Sequence, residues 1–169
     1  MKLEMTLNLA HLNTRREKAG EDDGPVAVDI KRKGEVKPEN CKDLFSTDAS
    51  FDKLLGELWD KNGELTTSDL GSMRLNREAQ DCNIVLETEI SKSALKFETG
   101  GLSKVTLKPL AGKLIEIGLR LQVHPKPEQY GTLCEWLGHD LDISVKKKQG
   151  ELSLPRGKAK PEGADARQH

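Results

Sequence analysis

From Ile115 to His124 apolar and polar residues alternate without a break, with Ile115, Ile117, Leu119, Leu121 and Val123 opposed by Glu116, Gly118, Arg120, Gln122 and His124. A period of two is the pattern of a β-strand with one buried and one solvated face. A helix would spread the same apolar residues around its whole surface and bury none of them well. Shorter versions of the pattern occur at Leu3, Met5, Leu7 and Leu9, at Val26, Val28 and Ile30, and at Leu141, Ile143 and Val145. Weaker ones occur at Ile84 and Leu86, at Leu95 and Phe97, and at Val105 and Leu107. One-sided strands of this kind point to antiparallel pairing. The stretch His11 to Gly24 has no apolar period after Leu12 and reads as an exposed hairpin loop, with Arg15-Arg16 at one end and Glu21-Asp22-Asp23 at the other. Gly100-Gly101 reads as a turn between two strands, and residues 64–82 as a weakly patterned polar stretch.

Three segments carry helical spacing instead. Pro38 suits the first position of a short helix, where its missing N–H is no loss, and Cys41, Leu44 and Phe45 follow on one face. Asp48 is placed to cap a longer helix, whose face is Phe51, Leu54, Leu55 and Leu58 with Trp59 beside it, ending at Asn62-Gly63. Pro127 opens a third, with Tyr130, Leu133, Cys134 and Leu137 inward and Gly138 at its close.

An internal match suggests how these parts are arranged. At an offset of 89, Val26–Leu44 lies on Ile115–Leu133, so that Lys37-Pro38-Glu39 meets Lys126-Pro127-Glu128 and Lys31 meets Arg120. The expected fold is therefore α+β, a mainly antiparallel sheet or partial barrel from two repeated strand–loop–strand–helix units, residues 3–44 and 103–133, with helices on one side. Residues 1–148 form the expected single domain, with Val28, Ile30, Leu54, Leu58, Ile117, Leu119, Leu121 and Leu133 in its core. Residues 149–169 are expected to be a disordered tail, since residues 155–169 contain no large apolar side chain.

Composition removes several classes of function. The 169 residues carry a net charge of −1 and are 35% hydrophobic, and no apolar run approaches the ~18 residues of a membrane span. Met1-Lys2-Leu3-Glu4 lacks the basic start and apolar block of a signal peptide, and three widely spaced cysteines, Cys41, Cys82 and Cys134, suit a reducing compartment. A cytoplasmic protein that does not contact membranes is expected.

Motifs for catalysis are lacking. No CxxC or HxxxH pair offers metal-ligand spacing, and neither GxxxxGK[ST] nor GxGxxG is present. No enzymatic activity, cofactor or metal is expected. Basic residues are the remaining candidates. Lys31-Arg32-Lys33 lies on one strand and Lys146-Lys147-Lys148 ends another, and the repeat would bring Lys31 and Arg120 to equivalent positions. Lys31, Lys33, Arg120 and Lys146 are accordingly the expected nucleic-acid-binding residues, able to follow a phosphate backbone. Aromatic residues total only 4%, most of them on the helices, which leaves few to stack on bases.

The segments LNLAHLNTRREKAGEDDGPVAVDIKRKGEV and GLRLQVHPKPEQYGTLCEWLGHDLDISV are similar to an uncharacterised group of small bacteriophage and prophage proteins. The resemblance implies an accessory protein of phage recombination, replication or anti-defence, acting in the bacterial cytoplasm. It carries no catalytic residues. Two functions are consistent with it: association with single-stranded DNA or its handling machinery, and protein-binding inhibition of a host defence or nuclease complex, of the anti-CRISPR or anti-restriction type. The oligomeric state is not encoded in any of these patterns. Deleting residues 155–169 should leave the thermal midpoint unchanged, because the segment holds too little apolar surface to offset the entropy of ordering; a large drop in a melting experiment would show that it docks on the domain.

Overall fold

The structure, a computed structural model, describes residues 2–16, 26–45, 47–89 and 93–148. Seven strands appear in the order β1 (Lys2–Arg16), β2 (Val26–Val36), β3 (Met73–Arg74), β4 (Ala79–Glu87), β5 (Leu95–Leu110), β6 (Leu114–Val123) and β7 (Asp140–Lys147). All pairings are antiparallel, and six of the strands close on themselves in the ring β1–β2–β6–β5–β4–β7, with β3 added to β5. Closure supplies each ring strand with a partner on either side and turns the alternating apolar residues into a shared interior. Leu3, Leu7, Ile30, Ile84, Leu107, Ile117, Leu121 and Val145 belong to that one core cluster.

Closing the ring depends on β5, which runs along β4 from Leu95 to Leu102 and along β6 from Gly100 to Leu110. The two ladders overlap at Gly100–Leu102, where the strand passes between neighbours. A Cβ on Gly100 would lie 2.4 Å from Ile84 Cδ1 and 3.0 Å from the Gln122 carbonyl oxygen. Glycine is therefore required by close approach inside a strand, and the expected turn at Gly100-Gly101 is instead a continuous strand at a barrel corner.

The expected fold of two repeated strand–loop–strand–helix units with helices on one side is overturned. The chain builds a seven-stranded antiparallel sheet in which β4 and β7 belong to neither unit. Pro38 opens a 3-10 helix, Pro38–Leu44, whereas Pro127 opens an α-helix, α2 (Pro127–Glu135). These helices lie at opposite ends of the ring. The 3-10 helix and α1 (Asp48–Leu58) follow the end of β2, where Trp59 Nε1 donates to the Leu110 carbonyl at 2.7 Å. Helix α2 joins the end of β6 to the start of β7 and is tied there by Gly138 N–H to the Leu9 carbonyl at 2.8 Å. An amphipathic strand followed by a proline-started helix is a common local pattern, and matching it does not oblige two segments to form equivalent units.

Smaller corrections follow from hydrogen bonding. The segment His11–Arg16 is not loop but the continuation of β1, paired with Val26–Lys31 of β2. The rest of the expected loop, residues 17–25, and the expected tail lie outside the described residues. Thr47, not Asp48, caps α1, accepting the Ser50 N–H at 3.1 Å, and α1 ends at Leu58 rather than at Asn62-Gly63. Of the expected core, Leu54 is only half-buried. Helix α2 buries Leu133 and the adjoining Trp136, while Cys134, Tyr130 and Leu137 remain exposed. No described helix is long and apolar enough to cross a membrane.

Arg32 departs most from the sequence pattern. It follows Ile30 on the inward face of β2 and is 1% exposed. Its Nη2 donates to the carbonyls of Leu7 and Leu141, on the paired strands β1 and β7, while Nε and Nη1 have no hydrogen-bond partner. Burial pushes its pKa down to about 9, with the charge of Asp140 acting in the opposite direction. Lys31-Arg32-Lys33 is thus not a basic patch of three residues, since alternation turns the middle one into the core.

If Gly100 sets the corner, Gly100→Ala should destabilise the fold by about 1–3 kcal/mol, the usual cost of overpacking. Adding Ile84→Val, which removes the Cδ1 atom in the way, should recover part of that loss in a denaturant melt. Equal stability of wild type and Gly100→Ala would refute the steric argument.

Candidate nucleic-acid interface

The outward side chains of β2, β6 and β5 form rows across the barrel. One row is Lys31–Arg120–Ser103, and the next is Lys33–Gly118–Thr106, extended by Arg74 of β3 opposite Thr106. Sheet geometry sets cross-strand neighbours about 4.5–5.5 Å apart at Cβ, so cations from strands distant in sequence become adjacent. Between Ser103 and Thr106 the β5–β6 register shifts, and Lys104 adopts φ +52°. Such a bulge re-aims a side chain. Lys104 lines the same depression as Lys31, Lys33 and Arg120, a cleft of about 390 Å³.

The cations are held differently. Arg120 is the most constrained: its Nε donates to Ser103 Oγ at 3.1 Å and its Nη1 meets Asp29 Oδ2 at 3.4 Å. The Asp29 side chain is only 8% exposed, and its Oδ1 has no hydrogen-bond partner. Lys33 pairs with Glu116 at 3.1 Å, an exposed contact on the lysine side. Lys31 and Lys104 are exposed and make no ion pair among the described residues. Among the described residues the face therefore offers two ammonium groups without an ion pair and two further cations whose carboxylate partners an incoming anion would displace or share.

Of the expected binding residues, Lys31, Lys33 and Arg120 share this face. Lys146 does not: it lies on β7, opposite Lys2 of β1 and Asn83 of β4, three strands from β6 in either direction round the ring. Lys146 stands outside the two matched segments, and closure of the ring sends its strand, β7, to the far side. That far side is acidic toward the α2 end, with Glu4, Thr6, Glu87 and Asp142 lining a depression of about 280 Å³. Sequence reasoning missed Lys104, Thr106 and Gly118. Gly118, a lone glycine within a clean alternation, was the available signal, because glycine inside a strand marks a bulge or a close approach.

A larger cleft, about 580 Å³, lies where the 3-10 helix and α1 meet the β5–β6 turn. Its Lys37 and Lys113 are balanced by Glu39 and Asp60, and Asp60 Oδ1 already accepts the N–H groups of Asn62 and Glu64 at 2.8 and 2.9 Å. Reactive thiolates are disfavoured at the buried cysteines. Burial, reinforced by Glu39, pushes the Cys41 thiol up to about 12, and burial likewise raises that of Cys82. Among the described residues no group of three or more His, Cys, Asp or Glu side chains could hold a metal ion.

No family model, curated protein or solved structure matches the chain.

The two ion pairs of the basic face should differ in strength. A double-mutant cycle on Asp29→Ala and Arg120→Ala is expected to give a coupling of about 0.5–3 kcal/mol, as for contacting groups in one network. The Lys33→Ala and Glu116→Ala cycle should give at most about 1 kcal/mol, the range of solvent-exposed pairs. The reverse order in urea melts would mean that the Asp29 carboxylate is not the partner of Arg120.

Proposed function

We propose that this protein is a non-catalytic accessory factor of the bacteriophage type, associated with DNA metabolism, which binds single-stranded DNA through the outer face of β2, β6 and β5. The observation that carries this reading is the convergence of Lys31, Lys33, Lys104 and Arg120 on one depression of a chain whose net charge is −1. A near-neutral chain that gathers its cations on one face has a local positive field without being a polycation. Phe97, the aromatic residue on a described strand, is buried, so among the described residues the face has no aromatic side chain on which bases stack. Binding is therefore to phosphates, with little sequence preference and strong dependence on salt.

A second reading is favoured by the acidic face of β1, β7 and β4. Glu4, Glu87 and Asp142 there suit a basic protein partner, which corresponds to an inhibitor of a host defence or nuclease complex.

Fluorescence anisotropy with a long single strand separates the two. Each phosphate contact on a single strand adds about −0.7 to the slope of log K against log salt. Lys31 and Lys104 alone would give a slope of about −1.4, and all four cations about −3. The double variant Lys31→Glu/Lys104→Glu should weaken binding at least about tenfold, given that each lost charge contact contributes a factor of several, whereas Lys146→Glu should change it little. No binding at low salt, or equal losses from the two variants, would reject the DNA reading and leave the acidic face as the site to pursue.

A further inference from the structure

The basic face is lowest at Gly118, which adds no side chain of its own to the outward row. Gly118 stands between Lys33 and Thr106 in the ladder, and a Cβ there would lie 2.6 Å from Thr106 Oγ1. Thr106 Oγ1, which donates to the Gly118 carbonyl at 3.4 Å, already takes the space a side chain there would need, so the depression lies over this low pair. Cations reach the resulting depression from both flanking strands, Lys31 and Lys33 from β2 and Lys104 from β5, with Arg120 of β6 above Gly118. Thr106 and Ser72 add hydroxyl groups, and Glu116, the one carboxylate among the described lining residues, already accepts Lys33.

The lining specifies a ligand class. Its donors approach from opposite sides, which suits a tetrahedral group with acceptor oxygens in several directions better than a planar carboxylate. With no aromatic residue among the described lining residues, a base gains little by entering. A volume of about 390 Å³ falls within the size range of small-molecule sites. We propose that the Gly118 depression is a seat for one phosphate group, carried either by a mononucleotide or by a single phosphodiester of a strand. This inference rests on the anion-binding reading of the basic face and adds that one position on that face, rather than the spread of charge, holds the ligand.

Amide chemical-shift titrations of the full chain test it, with sodium phosphate, thymidine 5′-monophosphate and an oligothymidylate as probes and sodium chloride at matched ionic strength as reference. Phosphate and the mononucleotide should both shift the amides of Gly118, Thr106 and Lys104 saturably, and chloride should not. In Gly118→Val/Thr106→Ala the hydroxyl that a Cβ would strike is removed, and a branched side chain larger than that hydroxyl projects into the seat. All four cations stay, and the apparent Kd for phosphate should rise at least tenfold. Thr106→Ala alone, which leaves the seat open, should retain most of the affinity. Should the double variant fail to fold, Lys31→Gln/Lys104→Gln, at two exposed positions, is expected to cause a similar loss. A wild-type response to phosphate no larger than to chloride, or unchanged affinity in the folded variant, would overturn the seat. Oligothymidylate binding without a phosphate response would overturn the seat and keep the strand reading. A phosphate response without oligothymidylate binding would do the opposite and identify a mononucleotide as the source.

Discussion

Ring closure at β5 is the constraint on which the rest of this structure depends. A strand that has β4 as neighbour over its first half and β6 over its second must change direction between them, and the change occurs where Gly100 faces Ile84 and the Gln122 carbonyl. Without it the six strands would form an open sheet with β5 and β6 as unpaired edges, the arrangement most prone to pairing with other chains. With it the alternating faces of every ring strand enclose a common interior, and the three helices occupy the two ends. The cost is an unusually demanding position, since even one methyl group at Gly100 meets a side chain and a carbonyl at once.

Strand positions were legible in the sequence where alternation was uninterrupted, as from Ile115 to Val123, because a period of two has a single structural meaning. The arrangement of those strands was not. Val26–Leu44 and Ile115–Leu133 do share a pattern, but pairing partners depend on contacts between residues far apart in the chain, and β4 and β7, which complete the ring, stand outside the matched segments. Gly100-Gly101 reads as a turn because glycine supplies turns as readily as it permits close packing. The start of helix α2 at Pro127 is legible in the sequence, but its end and inward face are not: it stops at Glu135, and with nine residues it buries one narrow strip, which Leu133 with the adjoining Trp136 fills, leaving Tyr130, Cys134 and Leu137 outside.

The candidate site was partly legible for a related reason. Lys31, Lys33 and Arg120 belong to strands with a clear outward face, and direct β2–β6 pairing makes them neighbours. Lys104 owes its place to a bulge, a feature with no signature in a single sequence when the bulged residue is not glycine. Lys146 has the same outward orientation on its own strand and is excluded only by the curvature of the sheet. Charge on this barrel thus has a direction, positive on the side of β6 and negative toward the α2 end of the side of β7. An anionic ligand would be drawn to the β6 side and turned away from the acidic depression.

The buried guanidinium of Arg32 also bears on how the chain avoids misfolded alternatives. Strands slide most easily by two residues, since such a slip returns every side chain to the face it had. On β2 that slip would carry Ile30 or Gly34 to the position of Arg32 and take its Nη2 away from the Leu7 and Leu141 carbonyls, stranding a cation in an apolar interior. A displaced aliphatic side chain would find similar surroundings after the slip; a displaced guanidinium would not. Arg32 therefore acts as a registration pin, penalising offset pairings of β2 that hydrophobic patterning alone would tolerate, and it does so by joining that strand to β1 and β7 through the inside of the barrel.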